Sequence, residues 1–294
     1  MLITTHRDFF NNKVVVVTGA ASGIGQALAT QFAQCGAKLA LCDFDQQGLM
    51  DVAASLEQTF PRTSIFKQVL DVADSSSWER FLYQVNQQFS AIHIVINNAG
   101  IEGSAKPCWA TDEATLKRTI DVNFYGMTHG SRLSLPYLAK QEWAALVNVS
   151  SIFGLIGVPN AADYCASKFA IRGYTEALRA ELCQILPHIQ VHLVHPGGIN
   201  TRITRHAHSQ AFKDKFLKTS PVDMANTIIK GIYANKPRIV FGHQSRYAHW
   251  GSRLLSLNWL TRLASRDMRS LNMDEDYRLD HSGLTIPPNR PSDK

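Results

Sequence analysis

"VVVVTGAASGIGQALATQFA", residues 14–33, is the stretch on which the fold turns. Four consecutive valines are β-branched and apolar throughout, as in a strand buried on both faces. A glycine-rich turn follows, and then a helix-length segment. Gly19, Gly23 and Gly25 stand in a G-x-x-x-G-x-G spacing. Glycines permit a tight turn and close approach of backbone to a ligand. The helix that follows offers unpaired N–H groups and a positive dipole end to phosphates. Strand, turn and helix in this order point to the pyrophosphate of a dinucleotide. The plain alternative is a strand-to-helix turn without a ligand, because glycine patterns also recur by accident.

Six further strand-like runs follow: KLALCD (38–43), SIFKQV (64–69), IHIVIN (92–97), ALVNVS (145–150), IQVHLV (189–194) and RIVF (238–241). Helix-length stretches separate them, near 24–36, 46–58, 75–89, 111–140, 163–186 and 221–234. This alternation predicts an α/β fold, a Rossmann-type doubly wound parallel sheet of about seven strands with helices on both faces. Ser220, Pro221 and Asp223 predict the start of the 221–234 helix. Ser75 to Ser77 are candidate caps before Trp78. With 294 residues, 45% of them hydrophobic, the chain has enough material for one large core. Residues 1–241 read as one domain, and 242–294 as a basic, aromatic, helical extension of it.

The second strand ends in Asp43, where an acid can hydrogen-bond a ribose diol and repel a 2′-phosphate. No lysine or arginine lies between Thr18 and Gly36 to receive that phosphate. NAD is therefore favoured over NADP. Asp45 is a neighbour that competes for the assignment.

Several motifs, in order over residues 11–241, resemble the classical short-chain dehydrogenase/reductase family. TGAASGIG (18–25) looks like its glycine motif, and LDV (70–72) like its adenine-contacting Asp-Val. NNAG (97–100) ends strand four, and DVNFYG (121–126) carries the helix asparagine. NVSSIFG (148–154), YCASK (164–168) and HPGGINT (195–201) complete the set. One departure is EWAALVNVS, where many members have a glycine turn. The family spacing of serine before tyrosine selects Ser151 over Ser150, and strand alternation turns the two apart.

The resemblance implies hydride transfer between a nicotinamide cofactor and an alcohol or ketone. Its catalytic set here would be Asn123, Ser151, Tyr164 and Lys168. Tyrosine titrates near ~10 and needs a cation nearby to serve as a base. Lys168 stands one helical turn after Tyr164 and so lies on the same face. Ser151 would hold the substrate oxygen, and Asn123, by resemblance, a water that links Lys168 to solvent. Gly19, Ser22, Gly23, Ile24 and Gly25 would hold the pyrophosphate, and Asp43 the ribose. Asp71 and Val72 would meet adenine, and Asn98, Ala99 and Gly100 the adenosine ribose. Lys168 would bond the nicotinamide ribose, beside Tyr164. Pro196, Ile199 and Thr201 would fix the carboxamide. Within the family an NADPH-dependent ketone or 3-oxoacyl reductase is the alternative. Outside catalysis it is a silent cofactor-binding regulator.

The stretch 202–220, with Ile203, Phe212, Phe216 and Leu217, reads as a lid over an apolar substrate, and the loop 101–110, with Pro107 and Trp109, as part of the same cleft. His188, His192 and His195 flank or occupy strand six, with His206 and His208 after it; strand spacing does not bring the first three to one point and the chemistry above needs no metal, so none is expected. Cys165 reads as a packing residue. Five scattered cysteines without a C-x-x-C pair suit a reducing compartment. The start carries no signal-peptide core, and no apolar run reaches the ~18 residues of a membrane span. The expected location is cytoplasmic.

The net charge of +6 resides in residues 236–270, where seven cations face only Asp267. Trp250, Leu254 and Leu257 form one apolar stripe of this tail, and Leu255, Trp259 and Leu263 another. Three readings stay open: packing on the core or a second subunit, peripheral attachment to the inner face of an anionic membrane, and nucleic-acid binding. The last has no recognition motif behind it, so no nucleic-acid partner is expected. A homodimer or homotetramer, paired through 111–140 and 163–186, is implied by the resemblance.

Overall fold

Each valine of the opening run serves one face of a central sheet. Val15 and Val17 point to one side, Val14 and Val16 to the other, and all four are buried. The computed structural model describes residues 6–201, 203 and 210–269. His206, His208 and the 270–294 end lie outside the described residues.

The strands are β1 (Val14–Thr18), β2 (Lys38–Asp43), β3 (Ile65–Val69), β4 (Ile94–Asn97), β5 (Ala144–Val149), β6 (Ile189–Pro196) and β7 (Arg238–Phe241). They form one parallel sheet of 7 strands in the order β3-β2-β1-β4-β5-β6-β7. The helices are α1 (His6–Phe10), α2 (Gly23–Gln34), α3 (Gln46–Thr59), α4 (Ser75–Phe89), α5 (Glu113–Ile120), α6 (Gly126–Leu138), α7 (Ala162–Ile185), α8 (Gln210–Phe216), α9 (Pro221–Tyr233), α10 (Ser245–Leu254) and α11 (Leu257–Arg269). Leu28 and Phe32 of α2, Leu49 of α3 and Ile228 of α9 pack on one sheet face. Trp78 and Phe81 of α4, Leu138 of α6 and Leu182 of α7 pack on the other.

The chain winds outward from β1 to β3, returns to lay β4 beside β1, and then winds the opposite way to β7. The reversal lies between β1 and β4. A crevice opens beyond the carboxyl ends of the strands at such a point, and ligands bind there.

Two local expectations change. α4 is capped by Asp74, whose carboxylate accepts from Ser76 N at 3.0 Å and Ser77 Oγ at 2.5 Å. A charged acceptor binds these donors more strongly than a serine hydroxyl would, so the serines become the first turn. The stretch 111–140 is not one regular helix. Asp121–Tyr125 forms a π-helical turn between α5 and α6, closed by Gly126 N on the Asp121 carbonyl. Such bulges re-aim a side chain and are frequent at functional sites. This one carries Asn123.

Beneath the crevice lies a buried polar network. Asn148 Oδ1 accepts from Asn97 Nδ2 at 2.8 Å and from Ser131 Oγ at 3.2 Å. Asn148 Nδ2 donates to Thr175 Oγ1 at 3.0 Å. The network ties β4, β5, α6 and α7 together. Asn148→Ala removes three buried hydrogen bonds and should cost about 3 kcal/mol at roughly 1 kcal/mol each. The urea midpoint measures this, and an unchanged midpoint would show that the network contributes nothing net.

Candidate active site

The ends of the strands gather around a cleft of about 1310 Å³. Its first half is built on the glycine turn. A Cβ at position 25 would lie 2.0 Å from the Gly19 carbonyl oxygen, so only glycine lets α2 start this close to β1. Gly23 likewise leaves room for Thr201, whose side chain would be 3.0 Å from a Cβ there. Ser22 at the start of α2 is extended and makes no capping side-chain bond. The first-turn N–H groups of α2 thus remain available to an anion.

Asp43 stands at the end of β2 with Oδ2 accepting from Ala21 N at 2.9 Å and Oδ1 from Asp45 N at 2.9 Å. Asp45 instead caps α3 through Gly48 N at 3.1 Å. The carboxylates thus divide: Asp43 is locked against the glycine turn and Asp45 begins a helix. Asp71 accepts from Ala73 N at 3.0 Å and pairs with Arg118 at 2.9 Å. This half, with its glycine cradle, open helix end and Asp43 at the end of β2, fits a dinucleotide.

The second half centres on α7 and the end of β5. Ser151 hydrogen-bonds the Tyr164 side chain, and its Oγ also accepts from Phe153 N at 3.1 Å. Ser150 turns away, donating to the Lys168 carbonyl at 2.8 Å. Lys168 is buried, its Nζ 5.4 Å from the Tyr164 ring centre and donating to the Val149 carbonyl at 3.2 Å. Asn123 is also buried. Its Oδ1 accepts from Ile101 N at 2.7 Å, and its Nδ2 donates to the Ile101 carbonyl and Ser167 Oγ, each at 3.0 Å.

A model of the short chain dehydrogenase family matches residues 13–211. This chain belongs to the classical short-chain dehydrogenase/reductase family. A putative oxidoreductase SadH of Mycobacterium tuberculosis is 38% identical over 250 residues, covering 81% of this chain and 88% of that protein. Human 15-hydroxyprostaglandin dehydrogenase [NAD(+)] is 33% identical over 197 residues, 66% of this chain and 70% of that one. A short-chain dehydrogenase/reductase of Burkholderia phymatum, solved in complex with NAD, superposes with a TM-score of 0.77 at 26% identity, over 83% of this chain and 93% of that one. As a short-chain dehydrogenase/reductase, this protein is an NAD(P)-dependent oxidoreductase of alcohol and ketone groups.

In this short-chain dehydrogenase/reductase the cleft is lined by Gly19, Ser22, Gly23, Ile24, Asp43, Asp71, Val72, Asn98, Ala99 and Gly100 along its first half. Ser151, Tyr164, Lys168, Pro196, Ile199 and Thr201 line the second. Gly25 and Asn123 stand behind the wall. Gly25 abuts Gly19, and Asn123 supports Gly100, where an added Cβ would sit 3.0 Å from its Oδ1. Asn98 is as much a brace as a lining residue, since its Nδ2 donates to the Thr18 carbonyl at 2.9 Å. Ile101, Glu102, Gly103 and Ala105 line the cleft, whereas Pro107 and Trp109 do not. The 3₁₀ turn at Cys108–Ala110 carries the chain away.

Four features escaped the sequence. Arg118 reaches the cleft from α5, far along the chain from the segment searched for cations. Phe44, between the two acids, lies on the rim and is exposed. α10 and α11 close the second half through Ala248, Leu260 and Met268. His195 lies under Ser151, donating from Nδ1 to its carbonyl at 2.8 Å. Only its position just before Pro196 hinted at this.

Burial governs the charges. Tyr164 keeps part of its surface open to the cleft, yet burial pushes its hydroxyl above the usual tyrosine range, with the Ser151 bond pulling the other way. Burial lowers Lys168 to about 8. The expected lowering of Tyr164 by Lys168 is not among the causes of this shift, which desolvation dominates. His192 Nδ1 donates to the Lys236 carbonyl at 2.7 Å, because a carbonyl only accepts, and so carries the ring proton. Burial lowers both His192 and His195 to about 4.

Because these folded values lie below the ordinary 6.5, the folded chain binds fewer protons than the unfolded one between pH about 6.5 and 4. Stability should fall as pH drops through that window, by on the order of 3 kcal/mol per histidine at the acid end. His195→Asn keeps a donor near the Nδ1 position but cannot titrate there. Urea midpoints at pH 7 and 4.5 should differ less in this variant than in the parent, and an equal difference would assign the acid sensitivity elsewhere.

Proposed function

We propose that the protein is an NAD-dependent dehydrogenase of apolar secondary alcohols, running as a ketone reductase in reverse, with Tyr164 as the acid/base. One observation carries this reading: Tyr164, bonded to Ser151 and beside the Lys168 ammonium, faces a half-cleft walled by apolar groups. Ile156, Val158, Phe212, Leu255, Leu260 and Met268 supply that wall. The Phe153 ring, 6.1 Å from that of Tyr164 and 6.3 Å from that of Phe212, continues it to α8.

When bound, the nicotinamide supplies the hydride acceptor or donor. Tyr164 Oη takes the alcohol proton in oxidation and returns it to the ketone oxygen in reduction. Ser151 Oγ holds that oxygen and stabilises its developing charge. A protonated Tyr164, as burial favours, suits reduction; oxidation requires the phenolate, which the Lys168 charge and a cationic cofactor favour. Asn123 steadies the Ile101 backbone and Gly100 beside Lys168, in keeping with a proton route behind the tyrosine. Gly19, Ser22, Gly23 and Ile24 would hold the pyrophosphate, Asp43 the ribose, Asp71 and Val72 the adenine, and Ile199 and Thr201 the carboxamide.

Asp43 and Asp45 together support NAD, since a 2′-phosphate at this corner would meet two carboxylates. The cofactor in the Burkholderia structure and in the human relative's name is also NAD. The observation that favours NADP is Arg118 in the cleft, but its guanidinium is engaged by Asp71. Leu116, Tyr125 and Phe169, exposed on and around α5 and α7, support pairing of two copies through those helices.

Tyr164→Phe should lower kcat about 100-fold or more while leaving NADH affinity, read by fluorescence titration, close to the parent. Near-parental turnover would remove Tyr164 from the chemistry. A panel of secondary alcohols and ketones up to steroid size, followed by NADH absorbance, should find turnover; its complete failure favours a silent regulator. Asp43→Ser should reduce kcat/KM with NAD by about 10- to 100-fold, the worth of a charged hydrogen bond. With NADP it should rise. A parallel loss with both cofactors would mean that Asp43 acts only by holding the glycine turn.

A further inference from the structure

The two C-terminal helices are apolar on both sides. Ala248 of α10 and Leu260, Ala264 and Met268 of α11 face the cleft. On the opposite side, Trp250, Leu254 and Trp259 are between 55% and 74% exposed, and Leu257 at the start of α11 is 77% exposed. The outer residues fall into helical stripes. Arg246, Trp250 and Arg253 recur at i, i+4 and i+7 on α10, and Trp259 and Arg262 at i and i+3 on α11, while Arg266 one turn further reaches the cleft rim. The Arg253 guanidinium lies 5.9 Å from the Trp250 ring and that of Arg262 lies 5.8 Å from the Trp259 ring. A helix that merely separates a cleft from water would carry a polar outer face. This one carries large apolar groups interleaved with cations.

We infer that the outer face of α10 and α11 docks on an anionic lipid surface, holding the apolar end of the substrate cleft against the bilayer. Charge complementarity selects the occupant. Arg246, Arg253, Arg262, Arg266 and Arg269 stand on these helices against one acid, Asp267. Tryptophan and leucine enter the headgroup boundary while arginines stay with lipid phosphates. A second copy fits less well, because a two-fold contact would set the same arginines against each other. The attachment is peripheral, since no described helix is long and apolar enough to cross a membrane. α11 is also tied to the substrate loop, Lys215 of α8 donating to the Asp267 carbonyl at 2.8 Å. The docked surface and the cleft wall therefore form one piece, so that an apolar alcohol dissolved in lipid reaches the cleft without crossing water. This last consequence rests on the apolar substrate proposed above; the docking itself does not.

Sedimentation of the full chain with vesicles tests it. The protein should pellet with vesicles of phosphatidylglycerol and phosphatidylcholine, pellet little with phosphatidylcholine alone, and be released by 0.5 M salt. Tryptophan emission should shift to the blue on binding. Arg253→Glu with Arg262→Glu, and separately Trp250→Ala with Trp259→Ala, should each weaken binding at least tenfold. Their folding is verified by unchanged NADH binding, as none of the four lines the cleft. Absence of pelleting with the anionic vesicles would overturn the inference. So would a dimer that the tryptophan variant dissolves while neither protein binds lipid, or retention on DNA without retention on vesicles. Lipid binding without any dehydrogenase activity would leave the docking intact and remove the proposed function instead.

Discussion

Everything in the cleft depends on how β1 and β4 are held at the point where the sheet reverses. The two strands lie some eighty residues apart in sequence, and their ladder ends where their chains diverge. There the Thr18 hydroxyl accepts from the backbone N–H groups of Asn98 and Ala99, at 3.0 and 2.9 Å. The Asn98 side chain answers by donating to the Thr18 carbonyl at 2.9 Å. This reciprocal clamp satisfies backbone groups that the ladder has released, which would otherwise be costly to bury. It also fixes the glycine turn against the end of β4. Below it, the Asn97–Asn148–Ser131–Thr175 network extends the same rigidity to α6 and α7. The nucleotide half and the tyrosine half of the cleft therefore share one floor.

On that floor, burial decides the ionisation states more than charge pairing does. Among the described residues Lys168 has no carboxylate partner; it meets the Val149 carbonyl, and desolvation lowers its affinity for a proton. Tyr164 is pushed the other way by the same cause. Both shifts favour the neutral forms, so a positive charge brought into the cleft has large leverage on the pair. His195 adds a neutral donor that pins the Ser151 carbonyl from behind.

The second half of the cleft is assembled from pieces with little in common in sequence: the turn after Ser151, α8, and the helices α10 and α11. The C-terminal helices take part in two surfaces at once. Their inner residues complete an apolar wall, and their outer residues repeat the apolar theme with arginines added. A helix so constituted is at ease where one side is protein and the other is neither protein nor plain water.

The sequence by itself determined the sheet, because four buried valines and six similar runs admit little else than parallel strands covered on both faces. It also determined the dinucleotide turn, where glycine is required by contact: a Cβ at position 25 would collide with the Gly19 carbonyl. Local periodicity reaches that far because each of these features is a short segment with its own steric logic. Tertiary structure alone decided what arrives from a distance. It turned the continuous 111–140 pattern into two helices around a π turn, which no propensity encodes, since the bulge is set by how Asn123 meets the Ile101 backbone. It brought Arg118 to Asp71 and His195 to Ser151, and it divided the two tail stripes: Trp250, Leu254 and Leu257 lie outward, while Leu255 and Leu263 reach the cleft rim beside an outward Trp259. An amphipathic pattern states that a helix has a face, but only packing states what that face meets.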